Sequence, residues 1–281
     1  MPINTYASSM IKLKKFWLIV IPFILGISNT IAQESLNTEF EDVVKKALVL
    51  RPSEFSTIKS IFRKYRRDTI LMKHLAIESH FLKYKEGECY DLNSLGIIYR
   101  NFSLYTKALE NHKQAEELAQ EVNNKELMML SLNMQGVVYR RMDFVRSALD
   151  YHAKALNIAN TVETPSYDIK LGIAVSQNSM GNIYLSLKQY DLALEQFTNS
   201  LTIEKSLNNK LGLAINYENI GFIKEAEGRL EDALKYYETS LEYNNEINSE
   251  VGRVICNNSI VQIYIKQKSF WLLLNFQKAL S

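Results

Sequence analysis

Proline and glycine are scarce in this chain. Its 281 residues include 4 Pro and 10 Gly, too few for the turn density of an all-β or loop-rich protein and well suited to a mostly helical one. Cysteine is scarcer still, with Cys89 and Cys256 leaving room for one disulfide at most. Charge of one sign is also lacking. The first 32 residues hold three lysines and no acid, and the rest hold 30 basic and 31 acidic residues. A near-neutral chain gives no electrostatic reason to propose nucleic acid as a partner. Beyond the N-terminus no segment approaches 18 consecutive apolar residues, so no span is expected in the mature chain.

The one long apolar run lies at the start. Lys12, Lys14 and Lys15 precede the 12 residues FWLIVIPFILGI, Phe16 to Ile27. SNTIAQ follows, with Thr30 and Ala32 at the −3 and −1 positions of a cut after Ala32. The pattern is that of a secretory signal peptide over residues 1–32, with Met10 as the expected start. Cleavage implies an exported protein, periplasmic or extracellular. The alternative is an anchor made by the same segment left uncleaved. Glu34 to Leu50 reads as an amphipathic helix, placing an N-terminal cap over residues 33–52.

What the chain does have is a repeat. Gly96, Gly136, Gly181 and Gly221 are spaced 40, 45 and 40 residues apart, and Val261 stands 40 further on. Three residues after these positions come Tyr99, Tyr139, Tyr184, Lys224 and Tyr264. Twelve after come Ala108, Ala148, Ala193 and Ala233, each followed by Leu. Sixteen after come His112, His152, Phe197 and Tyr237, and nineteen after come Ala115, Ala155, Ser200 and Ser240. Gly and Tyr share a face of one helix, and the later positions form the stripe of a second. Glycine inside a helix costs about 1 kcal/mol relative to alanine, so a recurring one implies close approach of the second helix. Five extra residues in the second copy fall at ETPSY, Glu163 to Tyr167, which Pro165 marks as a loop.

The run Leu92, Leu95, Gly96, Tyr99, Ala108, His112, Ala115, with its later copies, resembles the tetratricopeptide repeat. The usual period of that family is about 34 residues, so the 40-residue spacing implies longer helices. The resemblance implies an all-α fold, a right-handed α-solenoid of helix-turn-helix repeats. A degenerate first repeat is expected over 53–92. Repeats then follow near 93–132, 133–177, 178–217 and 218–257, with a truncated copy over 258–281. In the last copy Phe276, Ala279 and Leu280 fall one residue early, as if one residue were deleted between Phe270 and Asn275. That copy reads either as a decayed cap or as a docking element. Cys89 and Cys256 then lie about four repeats apart, beyond disulfide reach, and are expected to be small buried residues.

No catalytic constellation stands out. His112 and His152 occupy the same aromatic slot, so packing explains them, and His74 and His80 share no ligand spacing with a cysteine. Phosphate loops, nucleophile elbows and calcium loops are absent, and neither metal nor cofactor is expected. The basic run RKYRRD, Arg63 to Asp68, reads as a helix end before it reads as a nucleic-acid or lipid site.

What remains is a surface. Stacked helix pairs form a curved wall lined by first helices, and such walls bind extended or helical peptides. In the family that wall takes positions −6, −3, +1, +4 and +5 from the Gly. Position −3 supplies Asn93, Asn133, Asn178 and Asn258, with Glu218 in the fourth copy. Position +1 supplies Ile97, Val137, Asn182, Phe222 and Gln262. Positions +4 and +5 supply Arg100, Asn101, Arg140 and Arg141. An amide donates and accepts together, so an Asn ladder suits a peptide backbone; it equally suits bonding between neighbouring repeats. The arginines suit a carboxylate. The expectation is a non-catalytic exported module that binds a protein or peptide, the sensory or scaffold part of a bacterial signalling system. The alternative is a cytoplasmic peptide-sensing regulator acting through a partner kinase or transcription factor.

Overall fold

The computed structural model describes residue 42 and residues 49–280, with side chains through residue 268. Two compact units divide the chain, residues 1–51 and 52–281, and the fold below belongs to the second. The signal segment and most of the expected N-terminal cap lie outside the described residues.

Helix follows helix along this unit. The order is α1 (Phe55–Phe62), α2 (Thr69–Phe81), α3 (Lys85–Asn101), α4 (Tyr105–Glu121), α5 (Lys125–Arg141) and α6 (Val145–Ala159). It continues with α7 (Tyr167–Ser186), α8 (Tyr190–Ser206), α9 (Lys210–Ala226), α10 (Leu230–Glu246) and α11 (Glu250–Leu280). Helices α3 to α10 form four antiparallel pairs, α3–α4, α5–α6, α7–α8 and α9–α10, each packed on the next. The result is an all-α solenoid.

The recurring glycines make the pairs close. A Cβ on Gly136, Gly181 or Gly221 would lie 2.7, 2.6 or 2.8 Å from the ring of His152, Phe197 or Tyr237, and one on Gly96 would collide with His112. All four rings are fully buried. The missing side chain is therefore filled by the ring sixteen residues on. Alanines at +12, namely Ala108, Ala148, Ala193 and Ala233, are fully buried beside it.

The turns repeat as faithfully as the crossings. Lys83, Ser103, Asn123, Asp143, Lys188, Asn208, Gly228 and Asn248 all have positive φ. After α3, Ser103 N–H donates to Arg100 O and Leu104 N–H to Tyr99 O, both at 2.9 Å. This double bond satisfies the last carbonyls of a helix, and the other turns copy it. Between α2 and α11 only the junction after α6 departs. There residues 160–166 form a longer loop, and Ser166 caps α7 by accepting from Ile169 N–H at 3.2 Å.

Two features depart from the regular pairs. The last copy, expected to be truncated, has no second helix, because α11 runs unbroken over 31 residues. Its Gly position is Val261, which already carries the Cβ that a +16 ring cannot tolerate, and Val261 is 52% exposed. The degenerate first repeat also departs from plan. Its α1 has 8 residues against 17 in α3, and its Lys59 bonds Asp168 on α7, 109 residues away. A lysine side chain does not span three stacked repeats, so α1 crosses the inner wall instead of continuing the stack.

Candidate functional site

The inner wall is built from the first helices of successive pairs, α3, α5 and α7. Position −6 contributes Tyr90, Leu130 and Val175, and α1 lies against Tyr90 with Phe55 and Phe62 at ring distances of 6.1 and 5.9 Å. Beside α1 opens a cavity of about 630 Å³. Ile97, Leu130, Met134, Leu171 and Val175 give it an apolar lining, and Lys59, Arg66, Arg67, Glu126 and Asp168 give it charge. That volume falls within the range of small-ligand pockets, about 300–1,000 Å³.

The Asn ladder divides. Asn93 and Asn133 are 1% and 2% exposed, and their amides are engaged within the protein. Asn93 Nδ2 donates to Ser131 Oγ at 2.8 Å, and its Oδ1 accepts from His112 Nδ1 at 2.9 Å. Asn133 Nδ2 donates to Gly172 O at 3.0 Å, while its Oδ1 accepts from His152 Nδ1 at 2.9 Å and from Ser176 Oγ at 2.6 Å. Both amides are spent on the joint between repeats, and they reach only the floor of the cavity. Asn178 Nδ2 continues this seam by donating to Asn216 Oδ1 at 2.9 Å, and Asn182 bonds back to Asn178. Asn258 and Gln262 are exposed on α11, away from the cavity.

Seam chemistry fixes both histidines. Each Nδ1 carries the proton, because the Asn oxygen can only accept. Each Nε2 is buried with no partner. Burial lowers the His112 pKa to about 3 and that of His152 to about 4, with Arg100 and Arg140 adding repulsion. Both are neutral at physiological pH. Burial raises the Cys89 thiol to about 12, and its S–H donates to Ala115 O. Cys256 is buried beside Ser240. Among the described residues no group of three or more His, Cys, Asp or Glu is placed to hold a metal ion.

The arginines behave differently. Arg100 and Arg140 are half-buried and Arg141 exposed. Burial, then mutual repulsion, lowers the pKa of Arg100 and Arg140. Arg100 Nη2 reaches Asn101 Oδ1 at 3.1 Å, and Arg140 Nε is buried without a partner. No carboxylate pairs with any of the three among the described residues. Ile97 and Asn101 line the cavity, Val137 is half-buried, and Phe222 is 49% exposed further along the wall, edge-on to Tyr237. The residues contributed by α1 and by Arg66 and Arg67 were not among the expected wall positions. The row at −6 was legible from the same spacing that picks out +1.

The sequence profile described as Tetratricopeptide repeat matches residues 172–246. These are tetratricopeptide repeats. No curated protein sequence matches the chain. Among solved structures, BtubC from P. vanneervenii superposes with a TM-score of 0.61 at 15% identity, over 73% of this chain and 85% of that one. A Rap protein complexed with competence and sporulation factor gives 0.59 at 15%, over 79% and 65%. Aspartyl phosphate phosphatase F from Bacillus subtilis gives 0.56 at 18%, over 87% and 59%. The present chain thus spans two thirds or less of the latter two. At these identities the shared property is the tetratricopeptide solenoid. No helix among the described residues is long and apolar enough to cross a membrane.

Proposed function

We propose that this tetratricopeptide chain is a non-catalytic interaction module that holds a protein or peptide segment on its inner wall. The observation that carries this is the cavity of about 630 Å³, lined by first-helix residues of three successive pairs. Nearby, Arg100, Arg140 and Arg141 form a cationic cluster that no carboxylate among the described residues pairs with. A carboxylate of the bound segment supplies the counter-ion by charge-assisted bonds. One neighbour in fold, the Rap protein, is seen complexed with competence and sporulation factor, which supports a partner-holding role for this solenoid. The N-terminal signal pattern supports an exported sensory or scaffold role. The competing reading is a cytoplasmic regulator acting through a kinase or transcription factor. Peptide pools panned on the full chain test binding: enrichment that falls when Arg100 and Arg140 become Gln supports the carboxylate assignment. Equal enrichment on both proteins removes it. N-terminal sequencing of the mature protein tests export, which an intact Lys12–Ile27 segment in the cytosol overturns.

A further inference from the structure

The helix α1 is itself an occupant of the wall. Its Phe55, Ile58 and Phe62 are buried, at spacings i, i+3 and i+7, and Lys59 stands at i+4. The Lys59 ammonium donates to Asp168 Oδ1 at 2.7 Å and lies 5.9 Å from the Tyr167 ring centre. Two backbone carbonyls just ahead of the helix are held as well. Tyr84 Oη donates to Pro52 O at 2.7 Å, and Asn124 Nδ2 to Ser53 O at 2.9 Å. Three successive first helices, α3, α5 and α7, are thereby tied to one short segment at or beside their starts.

The tie to α7 is made of residues that other repeats do not have. Helix α7 has 20 residues where α3, α5 and α9 have 17. Gly172 marks the common register. Four residues before it stands Asp168, where the other copies place turn residues of positive φ: Lys83, Asn208 and Asn248. The insertion in the second repeat therefore extends α7 by part of a turn, and that extension carries both Tyr167 and Asp168. This small helix buries three apolar side chains through side-chain and backbone-carbonyl contacts that a partner's helix is able to reproduce.

We propose that the inner wall binds a short amphipathic helix of a partner, with apolar residues at i, i+3 and i+7 and a cation at i+4, and that α1 is its built-in competitor. This rests on the reading of the wall as a peptide-binding surface. The partner helix takes the place of α1 on Tyr90, its cation takes the place of Lys59 on Asp168, and α1 swings out from the turn near residue 65. Such binding is helix-in-groove recognition. Closure by α1 weakens apparent affinity by the fraction of chains that are open, so loosening α1 strengthens binding without touching the partner's contacts.

The test uses the full chain and a labelled synthetic peptide of residues 53–67. Fluorescence anisotropy is read for the parent, for Lys59→Glu, and for the double variant Lys59→Glu with Asp168→Lys. Lys59→Glu faces Asp168 with a second acid and opens the wall, so the peptide is expected to bind about tenfold tighter than to the parent. The double variant restores an ion pair and is expected to return affinity to the parental level or below. Hydrogen exchange in residues 54–62 is expected to rise in the single variant alone, while α9 and α10 keep their protection. Equal affinity of parent and single variant, or protection of α1 that matches α9 in both, overturns the proposal. If the pools still enrich peptides on the parent in that case, peptide binding stands and the role of α1 falls alone. If nothing binds either protein, both fall.

Discussion

Glycine at 96, 136, 181 and 221 costs helix stability in isolation and returns it as packing. The ring of Phe197 occupies the space of the absent Gly181 side chain. Gly181→Leu must displace that ring or separate α7 from α8, and is expected to cost about 3 kcal/mol or more by overpacking. Gly228 needs its glycine for a different reason. It has φ of +78° and open space around it, so Gly228→Ala is expected to cost about 1 kcal/mol of backbone strain alone. Urea midpoints of the two variants, compared with the parent, check the contrast; equal losses refute it. The histidines give the residue scale a pH dependence. Both have folded-state pKa values depressed below the usual 6.5, so the unfolded chain binds more protons in acid. Their contribution is present above about pH 6.5 and is lost as pH falls toward 4, at about 1.4 kcal/mol per pH unit for each. Asp91 has the opposite sign. Its fully buried carboxyl has a raised pKa, so it favours the fold more as pH falls. Replacing both histidines with Phe, the residue at 197, isolates their share. Between pH 7.5 and 5.5 the parent is expected to lose about 3 kcal/mol relative to that double variant. Parallel stability curves would show that the histidines do not titrate in this way. The slot they fill was legible from spacing; their bonds to Asn93 and Asn133 were not, because two polar residues 19 apart in sequence carry no mark of the joint between them.

At the scale of the element, the turns are more uniform than their sequences. Lys, Ser, Asn, Asp and Gly all serve at the same positive-φ position, so a search for glycine finds one turn in eight. Periodicity located the helices on either side all the same. Lys188 pays left-handed strain of roughly 1–2 kcal/mol, while glycine there would add about 0.5–1 of chain entropy. Lys188→Gly is therefore expected to stabilise the chain by about 0.5 kcal/mol, read as a higher melting midpoint. Asn208→Gly is expected to gain less, since Asn tolerates this conformation more readily. A gain at 208 as large as at 188 contradicts the strain argument. Helix α11 shows the reverse case. Val261 was visible as a missing glycine, and the register shift near Phe270 was visible too. Their joint effect, one unbroken helix in place of a pair, emerges only from the sub-3 Å fit of ring on glycine in the closed pairs. Helix α1 was least legible of all. Eight residues without a motif gain their meaning from partners up to 109 residues away.

From α3 to α10 the fold is a series in which each pair touches its neighbours, and its stability is close to a sum of pair and joint terms. The seam through the joints is polar and buried, so one broken link has a long reach. Asn133→Ala leaves His152 Nδ1–H without its acceptor and removes the bonds to Ser176 and Gly172. A buried polar group left unpaired costs about 1–3 kcal/mol. Urea unfolding followed by circular dichroism is expected to change from one transition to two as the halves on either side of this joint uncouple. A single transition with an unchanged midpoint would show that the seam carries no coupling. The three documented links differ in kind: amide to hydroxyl at Asn93–Ser131, amide to hydroxyl and carbonyl at Asn133, amide to amide at Asn178–Asn216. In the fourth pair the same register position holds Glu218, whose pKa burial raises and which, once ionised, can only accept. The joints are therefore not interchangeable in strength: the links at Asn93 and Asn133 meet hydroxyls, at Ser131 and Ser176, and the link at Asn178 meets the amide of Asn216.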